Sequence, residues 1–296
     1  MAHEGCGIGR HLQERSDSNT MDALDDGSQS REEPVSPNLY SKEYYLGPKG
    51  VPGAKEFIEC RGKAIHPRLR RLFDEARVKP GMVVLDIGCG RGDVVFCSAM
   101  HGAQAVGLDY SPDAIEIAKS ELKASENIPL KDLISFTVGD AKHIPFPDSI
   151  FDIVFMFDVI EHLHPWELHE CLVEVKRVLK PDGRLILETA PNTWFLKFGQ
   201  LFEKLARRLF QKRVIPTREK YDVHVHVNEQ SIITLKTLLR KEGFISKVKL
   251  EPLYSFDKEV HISRLIYYID KFLCRFYPFK LIFSKRISAM ATKAMR

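Results

Sequence analysis

Between Val83 and Asp93 an apolar run carrying Asp86 gives way to three alternating glycines, Gly88, Gly90 and Gly92, and then to an apolar helical stretch. Bare backbone at such a turn lets the main chain reverse tightly, and a ligand can lie against its peptide groups without meeting a Cβ. A dinucleotide fingerprint asks for a glycine at the last position of G-x-G-x-x-G, and here that position is Asp93. The stretch therefore predicts a strand–turn–helix unit, read either as a ligand site at the strand's carboxyl end or as a structural turn alone. It argues against the usual dinucleotide form of that unit.

The chain beyond it keeps alternating. Hydrophobic periodicity predicts strands over 82–87, 104–109, 134–138, 152–157 and 184–189, with helices around 92–101, 112–125 and 166–180. The third helix is the clearest, because Leu168, Cys171, Leu172, Val175, Val178 and Leu179 fall on one face. Pro181-Asp182-Gly183 turns the chain into the fifth strand. Upstream, Leu69, Leu72, Phe73 and Val78 have helical spacing and stop at Pro80-Gly81. A last helix near 229–242 precedes Gly243 and a strand near 245–251. Such alternation predicts an α/β fold with a doubly wound, mostly parallel sheet.

Composition divides the chain. The 296 residues, 44% apolar and 28% charged, suit an ordinary globular protein. Six cysteines stand apart with no C-x-x-C pair, which argues against a zinc knuckle or a disulfide framework and for a reducing compartment. The N-terminus has no secretory h-region and no run of 18 uncharged apolar residues exists, so the expectation is a cytoplasmic protein, with peripheral membrane contact as an extension. Residues 1–36 hold three Arg against eight Asp or Glu and few large apolar groups, the composition of a disordered tail. Residues 37–64 are expected to form an N-terminal cover and 65–255 the main domain, with a helical insertion at 193–220. Residues 256–296 make a basic, aromatic C-terminal segment. The insertion carries eight Lys or Arg against two Glu, and the C-terminal segment nine against three acidic residues.

Ligands of open α/β sheets bind beyond the carboxyl ends of the strands. Asp109 and Tyr110 end the second strand, Asp140 and Ala141 follow the third, and Phe157 closes the fourth. A carboxylate at Asp109 can accept both hydrogen bonds of a ribose diol. Together with Val178-Leu179-Lys180-Pro181-Asp182-Gly183-Arg184-Leu185, these motifs make residues 65–250 resemble class I S-adenosylmethionine (SAM) dependent methyltransferases. The resemblance implies a seven-stranded Rossmann-like methyltransferase fold with bound SAM. Asp86 and the Gly88-Cys89-Gly90-Arg91-Gly92 turn would hold the methionine end, Asp109 the ribose, and Asp140 with Ala141 the adenine. Tyr110 and Phe157 would complete the cofactor site.

Asp158-Val159-Ile160-Glu161-His162 follows the fourth strand, and His224-Val225-His226 precedes the last helix. This pattern resembles the divalent-metal site of ubiquinone-biosynthesis O-methyltransferases and of small-RNA 2′-O-methyltransferases, with Asp158 standing where those families tend to have Glu. The expectation is Glu161 and His162 as the catalytic pair without a resident metal, beside a structural reading in which they only cap a helix and pack the strand end. The alternative is a divalent cation on Asp158, Glu161, His162 and His224 or His226. Two aromatic-basic stretches, from Trp194 to Arg213 and from Leu265 to Phe283, are read as a helical lid over the pocket. A second reading makes them an amphipathic surface for anionic lipid. The expected reaction is methylation of a hydroxyl or carboxyl oxygen on a small or lipid-linked metabolite. RNA 2′-O-methylation and a non-catalytic SAM-binding regulator are the alternatives. A net charge of +4 gives nucleic acid little support as a partner.

Overall fold

The computed structural model describes residues 31–47, 65–124, 131–199, 225–251 and 274–294, with a few single positions between them. Seven strands form one sheet: β1 (Val83–Ile87), β2 (Gln104–Asp109), β3 (Ile134–Val138), β4 (Phe151–Phe157), β5 (Leu179–Thr189), β6 (Phe244–Glu251) and β7 (Arg286–Lys293). Their order is β3-β2-β1-β4-β5-β7-β6. Strands β1 to β5 pair in parallel, and β7 runs antiparallel to both of its neighbours. The described helices are α1 (Lys42–Leu46), α2 (Pro67–Ala76), α3 (Asp93–Met100), α4 (Pro112–Ala124), α5 (Pro165–Val178), α6 (Ile232–Lys241) and α7 (Phe279–Phe283).

Alternation along the central strands sorts their side chains into two layers. Leu85 and Ile87 of β1 pack with Val106, Leu108, Val154 and Met156 beneath the apolar face of α5. Val84 points the other way and joins Ile153, Phe155 and Ile186 against Leu72 and Phe73 of α2 and Val94 of α3. The Phe73 and Phe155 rings stack at 5.8 Å between centroids. Because helices cover both faces, these strands read as continuous apolar runs rather than as alternating ones. The chain winds outward from β1 to β3 and then restarts at β4 on the other side of β1. That reversal opens a crevice at the carboxyl ends of β1 and β4.

Three expectations change. Strand β5 begins at Leu179 rather than 184, and Lys180–Gly183 are accommodated between the Phe151–Leu179 and Ile153–Arg184 pairings. The C-terminal segment, expected to be helical, supplies β7, so the sheet takes chain well beyond residue 255. Its buried side chains are Ile287, Ser288, Ala289 and Ala291, a run of mostly small residues masked by the aromatic stretch before it. Residues 31–36, expected in a disordered tail, lie along the start of α5. Arg31 pairs with Glu170 at 3.0 Å, and Trp166 Nε1 donates to the Glu32 carbonyl at 3.2 Å. Residues 1–30, most of 200–224 including His224, and 252–271 fall outside the described residues. Among the described residues no helix is long and apolar enough to cross a membrane, and Cys60, Cys89, Cys97, Cys171 and Cys274 are free thiols.

Candidate active site

A cavity of about 330 Å³ occupies the crevice. One end is built by the glycine turn. Gly88, Gly90 and Gly92 all have positive φ, at 68°, 52° and 91°, where a Cβ is strained. A Cβ on Gly88 would stand 2.5 Å from Val159 Cγ2. Gly88, Cys89 and Gly90 line the cavity. Gly92 does not. It caps α3 from below, and a Cβ there would press into the Phe136 and Phe96 rings.

Two buried carboxylates face this turn. Asp109 Oδ2 accepts from the Gly90 amide and Oδ1 from the Ser111 amide, each at 2.8 Å. Each oxygen keeps a free lone pair, so both hydroxyls of a vicinal diol can still be bound. Burial raises the Asp109 carboxyl to about 6, and those two amide bonds oppose the rise. Asp86, 3% exposed, is raised well above the ordinary carboxylate range by burial and by the charges of Asp93 and Asp109. Among the described residues no hydrogen bond or ion pair reaches its carboxylate, although it lines the cavity. A cationic ligand group opposite Asp86 would relieve that cost. The methionine end of SAM, with its ammonium and sulfonium, fits this demand.

The remaining cofactor candidates, Tyr110, Asp140, Ala141 and Phe157, also line the cavity. Asp140 is engaged, however. Lys142 reaches it through its backbone amide at 2.9 Å and its ammonium at 2.8 Å, and the same ammonium binds Glu167 at 2.7 Å.

The roof comes from the N-terminal cover. The Tyr40 carbonyl accepts from Ser111 Oγ at 2.7 Å, and the Lys42 amide donates to Asp113 at 3.0 Å. Tyr40, Tyr44 and Tyr45 thereby sit over the cavity. Buried Arg91 fastens the cover from below, donating to the Tyr45 carbonyl at 3.3 Å and pairing with Asp93 at 3.2 Å.

At the far end Glu161 is 1% exposed. Its carboxylate accepts from Thr189 Oγ1 at 2.8 Å and from the Ala190 amide at 3.2 Å. Burial, aided by the Asp158 charge, raises its pKa. His162 Nδ1 stands 3.1 Å from the Tyr40 hydroxyl and 3.2 Å from the Val225 carbonyl. A carbonyl can only accept, so the Val225 contact favours the proton on Nδ1 and leaves Nε2 as the basic nitrogen. The His162 and His226 rings meet edge to face at 4.9 Å. Ligand atoms of Glu161, His162 and His226 lie within 4.8 Å of one another.

Asp158 stands apart from that group, which corrects its place among the candidate metal ligands. Its oxygens are held by Arg68 and by Arg286, the latter at 3.3 Å, and Arg286 also binds Glu188 at 2.9 Å. Burial would lift the Asp158 pKa, but the two guanidiniums outweigh it and hold it below the usual carboxylate range. Sequence reading missed Arg68, Glu188 and Arg286, because they are brought together from α2, β5 and β7 and share no local motif.

A sheet ordered 3-2-1-4-5-7-6, with a glycine turn and acidic strand ends at its reversal, defines the Rossmann-like methyltransferase class. Comparison with known proteins agrees. Residues 85–187 match the family described as a methyltransferase domain. A demethylmenaquinone methyltransferase of Staphylococcus saprophyticus is 30% identical over 202 residues, covering 66% of this chain and 83% of the relative. One from Symbiobacterium thermophilum is 36% identical over 135 residues, covering 44% of this chain and 52% of the relative, so the match spans about half of that protein. The crystal structure of a SAM-dependent methyltransferase from Archaeoglobus fulgidus superposes with a TM-score of 0.52 at 22% identity, over 85% of this chain and 97% of that one. The chain belongs to the class I SAM-dependent methyltransferases.

Proposed function

We propose that this methyltransferase acts on a hydroxyl or carboxyl oxygen of a small or lipid-linked metabolite, with His162 and Glu161 as the residues beside the reacting oxygen. The observation that carries this reading is the pairing at the far end of the cavity. A buried carboxylate and an imidazole with its Nδ1 occupied face the space beyond the glycine turn. SAM supplies an electrophilic methyl on a sulfonium that already carries its leaving group. The protein's task is to seat the acceptor in line and keep water out. The tyrosine roof supports that exclusion. An alcohol also needs a base, and His162 Nε2 can take its proton while Tyr40 and Val225 hold the opposite nitrogen. Asp86 and the Gly88–Gly90 turn would cradle the methionine end, Asp109 the ribose, and Ala141 beside Asp140 the adenine.

A second reading rests on the 4.8 Å grouping of Glu161, His162 and His226. One carboxylate and two imidazoles form a donor set suited to a divalent cation, which would polarise an acceptor hydroxyl. The experiment is a screen of hydroxyl and carboxyl compounds with SAM labelled in the methyl group, for wild type, His162→Gln and chelator-dialysed protein. Labelled ether or ester, lost in the variant and retained after dialysis, supports the metal-free base. Loss on dialysis with recovery on adding a divalent metal selects the second reading. Label on nitrogen or carbon alone overturns oxygen methylation.

A further inference from the structure

We infer that the surface formed by the Phe195–Gly199 helical turn and the 274–283 region docks onto an anionic lipid bilayer; this rests on the proposed reading of a lipid-linked acceptor. The two segments make one unit. Helix α7 packs on the Phe195–Gly199 turn. Asn192 locks them together, its side-chain amide donating to the carbonyls of Leu281 at 2.9 Å and Ser284 at 3.0 Å.

That unit carries apolar side chains turned outward. Phe198, Phe276, Tyr277 and Phe279 are between 41% and 66% exposed, and Phe272 beside Phe276 is 58% exposed. None of them is among the residues that line the cavity. A concentration of large exposed apolar groups on one corner marks a surface that is covered by something else.

Charge identifies the occupant. Lys197, Arg275 and Lys280 stand among these rings, and among the described residues none of the three has an ion-pair partner. Unpaired cations interleaved with aromatic rings suit the boundary between acyl chains and anionic headgroups, where rings enter and ammonium or guanidinium groups stay at the phosphates. A protein partner with an apolar face would leave these cations without counter-charge.

Position links the face to the chemistry. Pro191 lies just before the Phe195–Gly199 turn, and Lys285 and Arg286 just after α7, and all three line the acceptor end of the cavity. Docking through this unit would bring the acceptor end close to the headgroup layer.

Flotation of the full chain with vesicles tests the idea, using phosphatidylcholine alone and phosphatidylcholine with about 30% phosphatidylglycerol, at low and high salt. The expected result is flotation with the anionic vesicles at low salt, release at high salt, and none with phosphatidylcholine alone. One variant carries Lys197→Glu with Arg275→Glu, and another Phe276→Ser with Tyr277→Ser. With each cation near the surface changing partition about fivefold, the charge variant should bind at least about 25-fold more weakly. Calorimetry with S-adenosylhomocysteine must give wild-type affinity for both variants, which separates docking from misfolding and from failure of the cofactor site. Absence of flotation by the wild type, or undiminished flotation by both variants, overturns the proposal. So does concentration-dependent self-association that the Phe276→Ser, Tyr277→Ser variant abolishes, because the face would then join two copies of the chain.

Discussion

The Gly90 amide and the Asp109 carboxylate meet at 2.8 Å, so the turn that ends β1 holds the acidic group that ends β2. Two strands thus fix the position of both Asp109 oxygens, which the proposed function assigns to the ribose. Asp109→Ala removes both diol acceptors and strands two amide donors. Charge-assisted hydrogen bonds of this kind contribute about 1.5–3 kcal/mol each. S-adenosylhomocysteine should therefore bind about 100-fold more weakly or worse by calorimetry. Equal affinity in the variant would remove Asp109 from the site.

Acidity should tune the same contact. Burial lifts the Asp109 carboxyl to about 6, above an unfolded value of about 3.9. Ionising it inside the fold costs stability, so its contribution to the ligand-free protein is full below the unfolded value and is lost as pH rises through about 6. The ionised form is the one that accepts two hydroxyls. Affinity for S-adenosylhomocysteine should rise with pH up to about 6 and flatten above it, with a limiting slope of about tenfold per unit. Asp109→Asn should abolish the slope, and a slope unchanged in that variant would refute the assignment.

The glycines separate strain from crowding. Gly81 has φ of 81° with nothing within 4 Å of an added Cβ, whereas Gly88 combines φ of 68° with a 2.5 Å approach to Val159. Gly81→Ala should cost about 1–2 kcal/mol in urea unfolding. Gly88→Ala should cost about 2–5 kcal/mol, because overpacking adds to the strain. Equal losses would show that Val159 gives way without cost.

Two arginines on α2 should behave oppositely. Arg70 pairs with Asp74 on an exposed helix face, and Arg70→Ala should change stability by less than about 0.5 kcal/mol. Arg68 faces the half-buried carboxylate of Asp158 and the buried one of Glu188. Arg68→Ala should cost about 3–5 kcal/mol, and Arg68→Lys should restore little, since a single ammonium cannot fork between two carboxylates. Thermal unfolding at neutral pH measures both. Wild-type stability in Arg68→Ala would assign the whole neutralising role to Arg286.

The glycine turn and the α5 stripe were legible because each is local. Gly88 and Gly90 declare a close backbone approach, and Leu168 to Val178 repeat on one face. The edge of the sheet was not legible. In β7 the buried positions are Ile287, Ser288, Ala289 and Ala291, mostly small side chains that give a weak strand signal. The roles of Asp158 and Tyr40 were hidden for a different reason. Their partners, Arg68 and His162, lie 90 and 122 residues away along the chain. Glu161 and His162 stand out as adjacent polar residues just after a strand, whereas Asp158 joins them only through the resemblance to a metal-site pattern.

Strand β6 touches the rest of the sheet through β7 alone, and β7 opens with the guanidinium that neutralises Asp158 and Glu188. Fraying of this antiparallel margin would thus do two things at once: release β6 and leave Arg68 facing Asp158 and Glu188 without its second guanidinium. The outer edge of the sheet therefore carries half of the charge compensation at its centre.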